Sequence, residues 1–302
     1  MQYFRFGARG GYEQSRAPLR APLLERLLAR ADDFTAVSDW RADAYRIIAP
    51  HAGSVPAVAA AAVFADCGAI DGGWVCIAAP LRYVAEMSSV RLPQDGILSL
   101  RRADAESLAL DFNRVWLDSG VRMIAGASGV LYCIFDRALN ATSIDPKDVL
   151  ERHIEAYLPA GPDSPRLRQL MSELEMWLFE HAANGDRAAQ GLPAVNGLWL
   201  WGGGVPVDSL PAAQGFCAGD DVFFKAFSGK NSDTGVIAVS QVPGSEGWPQ
   251  VESAWLEPAV ERLRARRISR LDLSAGDRCF SLSARGSRRF WRRSKPWWES
   301  FP

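Results

Sequence analysis

The sequence is poor in lysine, histidine and cysteine, and each shortage limits the chemistry available to the chain. Only four of the 34 basic residues are lysines, and there are three histidines, His51, His153 and His181. The five cysteines are scattered, with no CxxC pair and no histidine at ligand spacing. A disulfide framework and a structural zinc site are therefore not expected.

Long apolar runs are also missing. The longest candidate, residues 55–65, is short and alanine-rich, which suits a buried helix better than a membrane span. The first eleven residues contain no apolar stretch of the kind found in signal peptides. We therefore expect a cytoplasmic protein with no membrane partner.

Charge is unevenly distributed along a chain whose formal net charge is −1. Residues 262–295 contain twelve basic and two acidic residues, so the rest of the chain is acidic. In the basic tail, residues 284–302, arginines alternate with aromatic residues. We expect this tail to pack on the protein's own acidic surface, and binding of nucleic acid is the alternative. The arginines that the alternative would use are Arg288, Arg289, Arg292 and Arg293.

The composition and the local patterns predict an α/β protein. Apolar residues make up 48% of the chain and charged residues 23%, which is ordinary globular usage. Residues 74–79 are almost continuously apolar, as in strands buried on both faces, and helical patterns alternate with such strands. We expect a three-layer arrangement with helices on both faces of a sheet. The whole chain, 1–302, is predicted to form one domain, with a possible division at the proline-rich residues 158–165.

Other local patterns predict individual elements. Residue spacing predicts helices at 19–31, 41–48, 104–117, 149–156 and 166–180. It also predicts a strand at 97–100 and a hairpin formed by residues 121–125 and 130–135. The glycine- and arginine-rich residues 1–15 are expected to be loose.

The most informative stretch is residues 181–206, named here the 181–206 segment. His181, Asn184 and Arg187 are three residues apart, so on a helical turn they share one face. Three consecutive glycines follow a tryptophan-rich strand, and a turn there would present bare N–H groups to an anion. Alternatively, the glycines form only a sharp turn and the tryptophans are core residues. The residues predicted to bind a ligand are His181, Asn184, Arg187, Asn196, Trp199, Trp201, Gly202, Gly203 and Gly204.

The 181–206 segment resembles the cofactor-independent phosphoglycerate mutases of the archaeal type. The shared positions are His181, Asn184, Arg187, Gly191, Pro193, Asn196, Leu198, Trp199, Gly202 and Gly204. A broader resemblance is to the bacterial RpfE-type regulatory proteins, which are often labelled phosphoglycerate mutase-related. That resemblance rests on DWRADAYRI from Asp39, residues 74–80, the helix around residues 173–176, NGLWLWGGG from Asn196 and RRFWRR from Arg288.

The mutase resemblance implies an alkaline-phosphatase-like scaffold and two divalent metals, Mn or Zn, held by Asp and His side chains. This chain departs from that pattern, because residues 2–11 lack an Asp-Gly-x-Gly-Asp sequence and two histidines remain outside the segment. We therefore expect a reduced scaffold without a cofactor, acting as a regulatory or binding protein for a small anion or a protein partner. The alternative is a metal-dependent phosphomutase or phosphoesterase that uses Asp220, Asp221 and His181.

Overall fold

The structure is a computed structural model that describes residues 1–6, 20–227, 233–239, 247–289 and 291–300. Its helices are α1 (Pro22–Arg30), α2 (Trp40–Ile48), α3 (Val58–Cys67), α4 (Arg102–Val115), α5 (Ser164–Phe179), α6 (Ala182–Ala189), α7 (Gly247–Val251) and α8 (Glu257–Arg264). A π-helical turn, Glu252–Leu256, lies between α7 and α8. None of the described helices has both the length and the apolar content that a membrane crossing requires.

The strands are β1 (Gln2–Phe6), β2 (Asp33–Ala36), β3 (Trp74–Leu81), β4 (Val84–Ala85), β5 (Val90–Leu92), β6 (Val121–Ala125), β7 (Leu131–Phe135), β8 (Arg152–His153), β9 (Gly197–Gly204), β10 (Phe216–Gly219), β11 (Gly235–Val239), β12 (Arg270–Ala275) and β13 (Arg278–Ser283). The chain forms two compact units, one of residues 1–55 and 211–302 and the other of residues 56–210. Residues 158–165, the possible division suggested by the sequence, lie inside the second unit.

The first unit is built on a six-stranded sheet in the order β10-β11-β1-β12-β13-β2. β10, β11, β1 and β12 run parallel, and β13 and β2 complete one edge in antiparallel pairing. Phe4 and Phe6 of β1 pack into a core with α1 and α8. The alternate residue Arg5 points to the opposite face, where its guanidinium lies over the Trp40 ring of α2. Helices therefore cover both faces of this sheet, and the predicted α/β class is confirmed.

The prediction of a loose N-terminus is wrong for residues 2–6. These residues form β1, which pairs with β11 and β12 in the middle of the sheet, and all five are buried. The run is short and contains Arg5, so its alternation is a weak sequence signal. The rest of the expected loose stretch, residues 7–15, lies outside the described residues.

The second unit contains a four-stranded antiparallel sheet in the order β6-β7-β3-β9 and a small sheet in the order β4-β5-β8. β3 is buried almost throughout, as its continuous apolar sequence predicts. β6 and β7 form the predicted hairpin, and α3, α4 and α5 pack on the larger sheet. The strands are thus divided among separate sheets, and the second unit has its own layer of helices.

Two local predictions in the second unit are wrong. Residues 97–100 do not form a strand, and Ile97 makes an isolated bridge to Leu81. Residues 149–156 do not form the predicted continuous helix: a 3-10 turn ends at Val149, Glu151 has a φ of 61°, and a second 3-10 turn begins at Ile154. Arg152 and His153 then pair with β5, so His153 is an exposed strand residue. Strand pairing has overridden the local helical pattern here.

Candidate functional site

The 181–206 segment lies in the second unit and runs from the start of α6 to just beyond the end of β9. His181 caps α6, because its Nδ1 accepts a hydrogen bond from the N–H of Ala183. Its Nε2 lies 3.5 Å from Oδ2 of Asp111 in α4. With Nδ1 accepting, Nε2 carries the proton and points to the carboxylate. His181 therefore connects α6 to α4.

Two further polar side chains of this helix form hydrogen bonds to the loop between α6 and β9. Asn184 Nδ2 donates to the carbonyl oxygens of Leu178 and Val195, and Asn184 Oδ1 accepts from the N–H of Val195, each at 2.8 Å. Arg187 is 5% exposed, and its Nε donates to the carbonyl of Pro193 at 2.8 Å. The predicted shared face is therefore turned towards the protein's own backbone.

Asn196, just before β9, makes the same kind of contact. Its Oδ1 accepts from the N–H of Tyr83 at 2.7 Å, and its Nδ2 donates to the Tyr83 carbonyl at 3.0 Å. Trp199 is fully buried, with its indole N–H donating to the Ile144 carbonyl at 2.8 Å, and Trp201 is also buried. The tryptophans are core residues, and the asparagine amide continues the strand pairing.

The three glycines belong to β9, so the predicted turn is wrong. β9 continues to Gly204, which pairs with Val75 of β3, and Gly202 adopts a φ of 69° where the register shifts. Such a shift is a β-bulge, for which glycine is suited. A Cβ added at Gly203 would overlap the Trp74 indole, and one at Gly204 would overlap Ala57. The glycines therefore permit close packing, and their predicted role in anion binding stays a prediction.

The charge of Arg187 acts on a carboxylate of its own unit. Arg101 donates two hydrogen bonds of 2.9 Å to Asp104 at the start of α4. These bonds, together with the nearby charges of Arg101 and Arg187, hold the pKa of Asp104 below its usual value. The polar groups around α6 thus form one internal network.

Exposed apolar side chains lie on α5 and on and just beyond α4, next to this network. Aromatic rings connect the two helices, with 5.4 Å between the centroids of Trp116 and Trp177 and 4.5 Å between those of Trp177 and His181. Single exposed apolar residues are common, but several on adjoining helices are typical of a contact surface. We name this set the α4–α5 face: Leu110, Val115, Leu117, Met176 and Phe179, which are 55%, 59%, 74%, 77% and 84% exposed.

Sequence reasoning missed the α4–α5 face. The leucine spacing that predicts the helix at 166–180 marks the inward face of α5, which contains Leu174 and Leu178. Met176 and Phe179 lie off that stripe, and Leu110 lies off the inward face of α4. Apolar residues outside a helical stripe were the signal that could have identified this surface.

Asp220 and Asp221 lie in the first unit, directly after β10. They are at the carboxyl edge of the parallel strands, which is the usual ligand-binding edge of such sheets. Asp220 is exposed, whereas Asp221 is 2% exposed and forms an ion pair of 2.8 Å with Arg41. Oδ1 of Asp221 also accepts from the N–H groups of Phe223 and Phe224.

The two aspartates do not fit a dinuclear metal site. The carboxylate of Asp221 is directed at a guanidinium and two N–H groups, all of which are donors that a metal would have to replace. Across the described ranges, no three His, Cys, Asp or Glu side chains come together as metal ligands. His181, the third candidate, has Asp111 and the N–H of Ala183 as its partners. No metal-dependent step follows from these residues.

The basic tail packs on the first unit at two of its arginines. Arg289 forms an ion pair of 2.8 Å with Asp32, and its Nη1 donates to the Ala31 carbonyl. Arg292 donates to the same carbonyl at 3.0 Å. This carbonyl follows the end of α1, where positive charge is favoured. The other two arginines named from the sequence, Arg288 and Arg293, are exposed.

Comparison with known proteins shows a local similarity to phosphoglycerate mutases, and no family model matches the chain. The chain is 33% identical over 92 residues to a 2,3-bisphosphoglycerate-independent phosphoglycerate mutase of Methanothrix thermoacetophila. It is 33% identical over 63 residues to a probable mutase of the same type from Geobacter sulfurreducens. These stretches cover 30% and 21% of this chain and 23% and 16% of the relatives. The similarity therefore spans less than a quarter of either relative.

Two solved structures were also found by structural comparison. One is a cofactor-independent phosphoglycerate mutase from Thermoplasma acidophilum, with a TM-score of 0.36 and 14% identity, covering 93% of this chain and 89% of that one. The other is the PH0037 protein from Pyrococcus horikoshii, with a TM-score of 0.42 and 10% identity, covering 93% and 87%. The predicted similarity to the mutases is confirmed in sequence over a limited stretch, and the RpfE-type relationship stays a prediction.

Asn184→Ala is expected to lower the free energy of unfolding by about 2 kcal/mol, because it removes the partner of the N–H and the carbonyl of the buried Val195, whereas the Leu178 carbonyl keeps the N–H of His181. Gln190→Ala is the matched control, since among the described residues its side chain bonds only the exposed Asp186 carbonyl, and it should change the free energy of unfolding by less than about 0.5 kcal/mol. Urea unfolding measures the free energy of unfolding of both variants. The exchange rate of the backbone amide hydrogens in residues 191–196 should rise only in Asn184→Ala. Equal stability of the two variants would contradict the fastening role.

Asp221→Asn is expected to lower the free energy of unfolding by about 3 kcal/mol, because it leaves the largely buried Arg41 without its counter-charge. An exposed aspartate of the same unit provides the control, and Asp277→Asn, between β12 and β13, should change the free energy of unfolding by less than about 0.5 kcal/mol. Thermal unfolding with and without a chelator separates an ion pair from a metal ligand. A loss that disappears in the presence of chelator would show that Asp221 holds a metal and that the ion-pair interpretation is wrong.

Proposed function

We propose that this chain is a regulatory or binding protein, without phosphomutase chemistry of its own, on a phosphoglycerate mutase-like scaffold. Its binding region is the 181–206 segment together with the neighbouring α4–α5 face. The partner is a protein rather than a small anion. The local similarity to the mutases supports the scaffold, whereas the regulatory or binding function is our proposal.

This proposal rests on one observation in the second unit: the polar side chains of the segment are bonded within the protein, whereas apolar side chains beside it are exposed to solvent. The side chains of Asn184 and Asn196 are bonded to backbone groups, and Arg187 is buried and bonded through Nε. A small anion needs donors that are directed at it, whereas a protein partner needs exposed apolar area. Phe179 and Met176 supply such area beside the segment. The region is therefore better suited to a protein surface.

The engaged carboxylate in the first unit supports the non-catalytic part of the proposal. A two-metal phosphotransfer site needs several carboxylate or imidazole ligands directed at one point. Asp221 is directed at Arg41 instead, with both groups largely buried. The edge of the sheet that contains the two candidate metal ligands, Asp220 and Asp221, thus contains an internal ion pair.

The double variant Met176→Gln, Phe179→Ser tests the α4–α5 face. Quantitative affinity capture from native cell extract should recover a protein on the wild-type chain that is retained at least about tenfold less by the double variant, since each lost contact costs roughly 1–2 kcal/mol. Met87→Gln is the control, because Met87 is fully exposed in the same unit but lies between β4 and β5. If every captured protein binds all three forms equally, the α4–α5 face is not the binding surface.

The second candidate is a metal-dependent phosphomutase, and the 92-residue similarity to a mutase favours it. If the chain is the binding protein proposed above, protein purified without chelators should contain far less than one equivalent of Mn or Zn by elemental analysis. It should also not convert 3-phosphoglycerate when either metal is added. Two equivalents of metal with turnover that is lost in Asp220→Asn, Asp221→Asn would establish the mutase and reject the binding proposal. Urea unfolding of that variant must accompany the assay, because Asp221 also stabilises the fold.

A further inference from the structure

Most of the positive charge in the basic tail is not used by the protein itself. Arg285, Arg288, Arg293 and Lys295 are exposed. Among the described residues, these four side chains form no ion pair and no hydrogen bond, unlike Arg289 with Asp32. Surface arginines elsewhere in the chain commonly have an acidic neighbour, as Arg46 and Arg114 do. The tail therefore presents a local excess of cations to solvent.

The backbone that presents these cations is held to the first unit. Arg289 and Arg292 bond the carbonyl of Ala31 from within the cationic stretch. Beyond it, Trp297 is 1% exposed and packs against Phe6 and Trp248. The 3-10 turn Gly286–Arg288 contacts α1, whose own Arg26 is exposed. The cations are thus displayed on a packed segment rather than on a free chain end.

An exposed indole lies among these cations. Trp291 is 67% exposed, although the other tryptophans of the tail, Trp297 and Trp298, pack against the core. The exposed part of such a ring can stack against a flat ring of a ligand. The combination of one solvent-facing ring and several neighbouring guanidinium groups suits a ligand with both flat rings and phosphates.

We infer that the basic tail is a binding site for single-stranded nucleic acid. Phosphates lie against Arg285, Arg288, Arg293 and Lys295, and an unpaired base stacks on Trp291. Guanidinium groups match phosphate geometry, and an aromatic ring accepts any base, so the binding is largely independent of sequence. The acidic remainder of the chain repels phosphates and confines the contact to the tail.

A membrane surface fits the tail less well. Peripheral membrane segments are typically amphipathic helices that insert several apolar side chains. The described part of the tail contains 3-10 turns instead, Gly286–Arg288 and Trp297–Glu299, and the second of these turns its Trp297 inward. One exposed indole provides little area for insertion, whereas it is sufficient for stacking one base.

Fluorescence anisotropy of a labelled oligothymidylate of about twenty nucleotides, titrated with the full chain, tests this site. Binding is expected at roughly 50 mM salt and should weaken steeply as salt increases, with a log–log slope of about −3 for four phosphate contacts. Replacing Arg285, Arg288, Arg293 and Lys295 by Gln should lower affinity at low salt by more than about tenfold and remove most of the slope. Absence of binding by the wild-type chain at low salt would overturn the inference.

A second quadruple variant with the same net charge distinguishes a binding site in the tail from a general effect of net charge on affinity. Replacing Arg46, Arg102, Arg114 and Arg264 by Gln changes the net charge equally, and these arginines are exposed outside the tail. Its affinity should remain near wild type, and an equal loss in both quadruple variants would reject a site in the tail.

Trp291→Ala should weaken binding by roughly five- to hundredfold at an unchanged salt slope, whereas Trp291→Phe should retain most of the affinity. If phosphatidylglycerol vesicles bind through the same four cations and the oligonucleotide does not bind, the ligand is a membrane and the inference is wrong.

Discussion

The hydrogen bonds of the Asn184 side chain are the constraint on which the second unit's binding region depends. Backbone groups outside regular helices and strands also need partners, and at the buried Val195 an unpaired N–H or carbonyl away from water would be costly. Asn184 supplies three such bonds to Leu178 and Val195, and Asn196 and Arg187 complete the set. The path from α6 to β9 is therefore held by these side-chain hydrogen bonds together with backbone bonds, such as the one from the Leu192 N–H to the Arg187 carbonyl.

This constraint changes how a shared sequence pattern is interpreted. Polar residues that recur with glycines and tryptophans suggest a ligand site, yet in this chain they bond the backbone and permit Trp74 to pack against Gly203. The same holds at the carboxyl edge of the first sheet, where Arg41 and Asp221 neutralise each other. A group of polar residues that resembles a ligand site can therefore be present because the fold needs it, independently of any chemistry.

The surfaces that remain available for interaction lie outside those patterns. The α4–α5 face exposes apolar side chains such as Phe179, and the basic tail exposes cations such as Arg288, which has no carboxylate partner in the part of the chain that the structure describes. Both are held by packed residues, the first by Trp177 and the second by Trp297. Exposed groups on a packed support lose little freedom on binding, so they are suited to recognition.

The sequence by itself determined elements whose causes are local. The leucine spacing of α1 and α5, the Asp39 cap of α2, the hairpin of β6 and β7 and the buried run of β3 depend on residues within a few positions of one another. Only the tertiary structure placed β1 between β11 and β12, and only it assigned partners to the polar groups. Asn196 bonds a residue 113 positions away and Arg41 one that is 180 positions away, and no local pattern contains such distances. Whether a polar side chain is free for a ligand depends on those long-range partners, which is why the fold class could be predicted and the state of the candidate site could not.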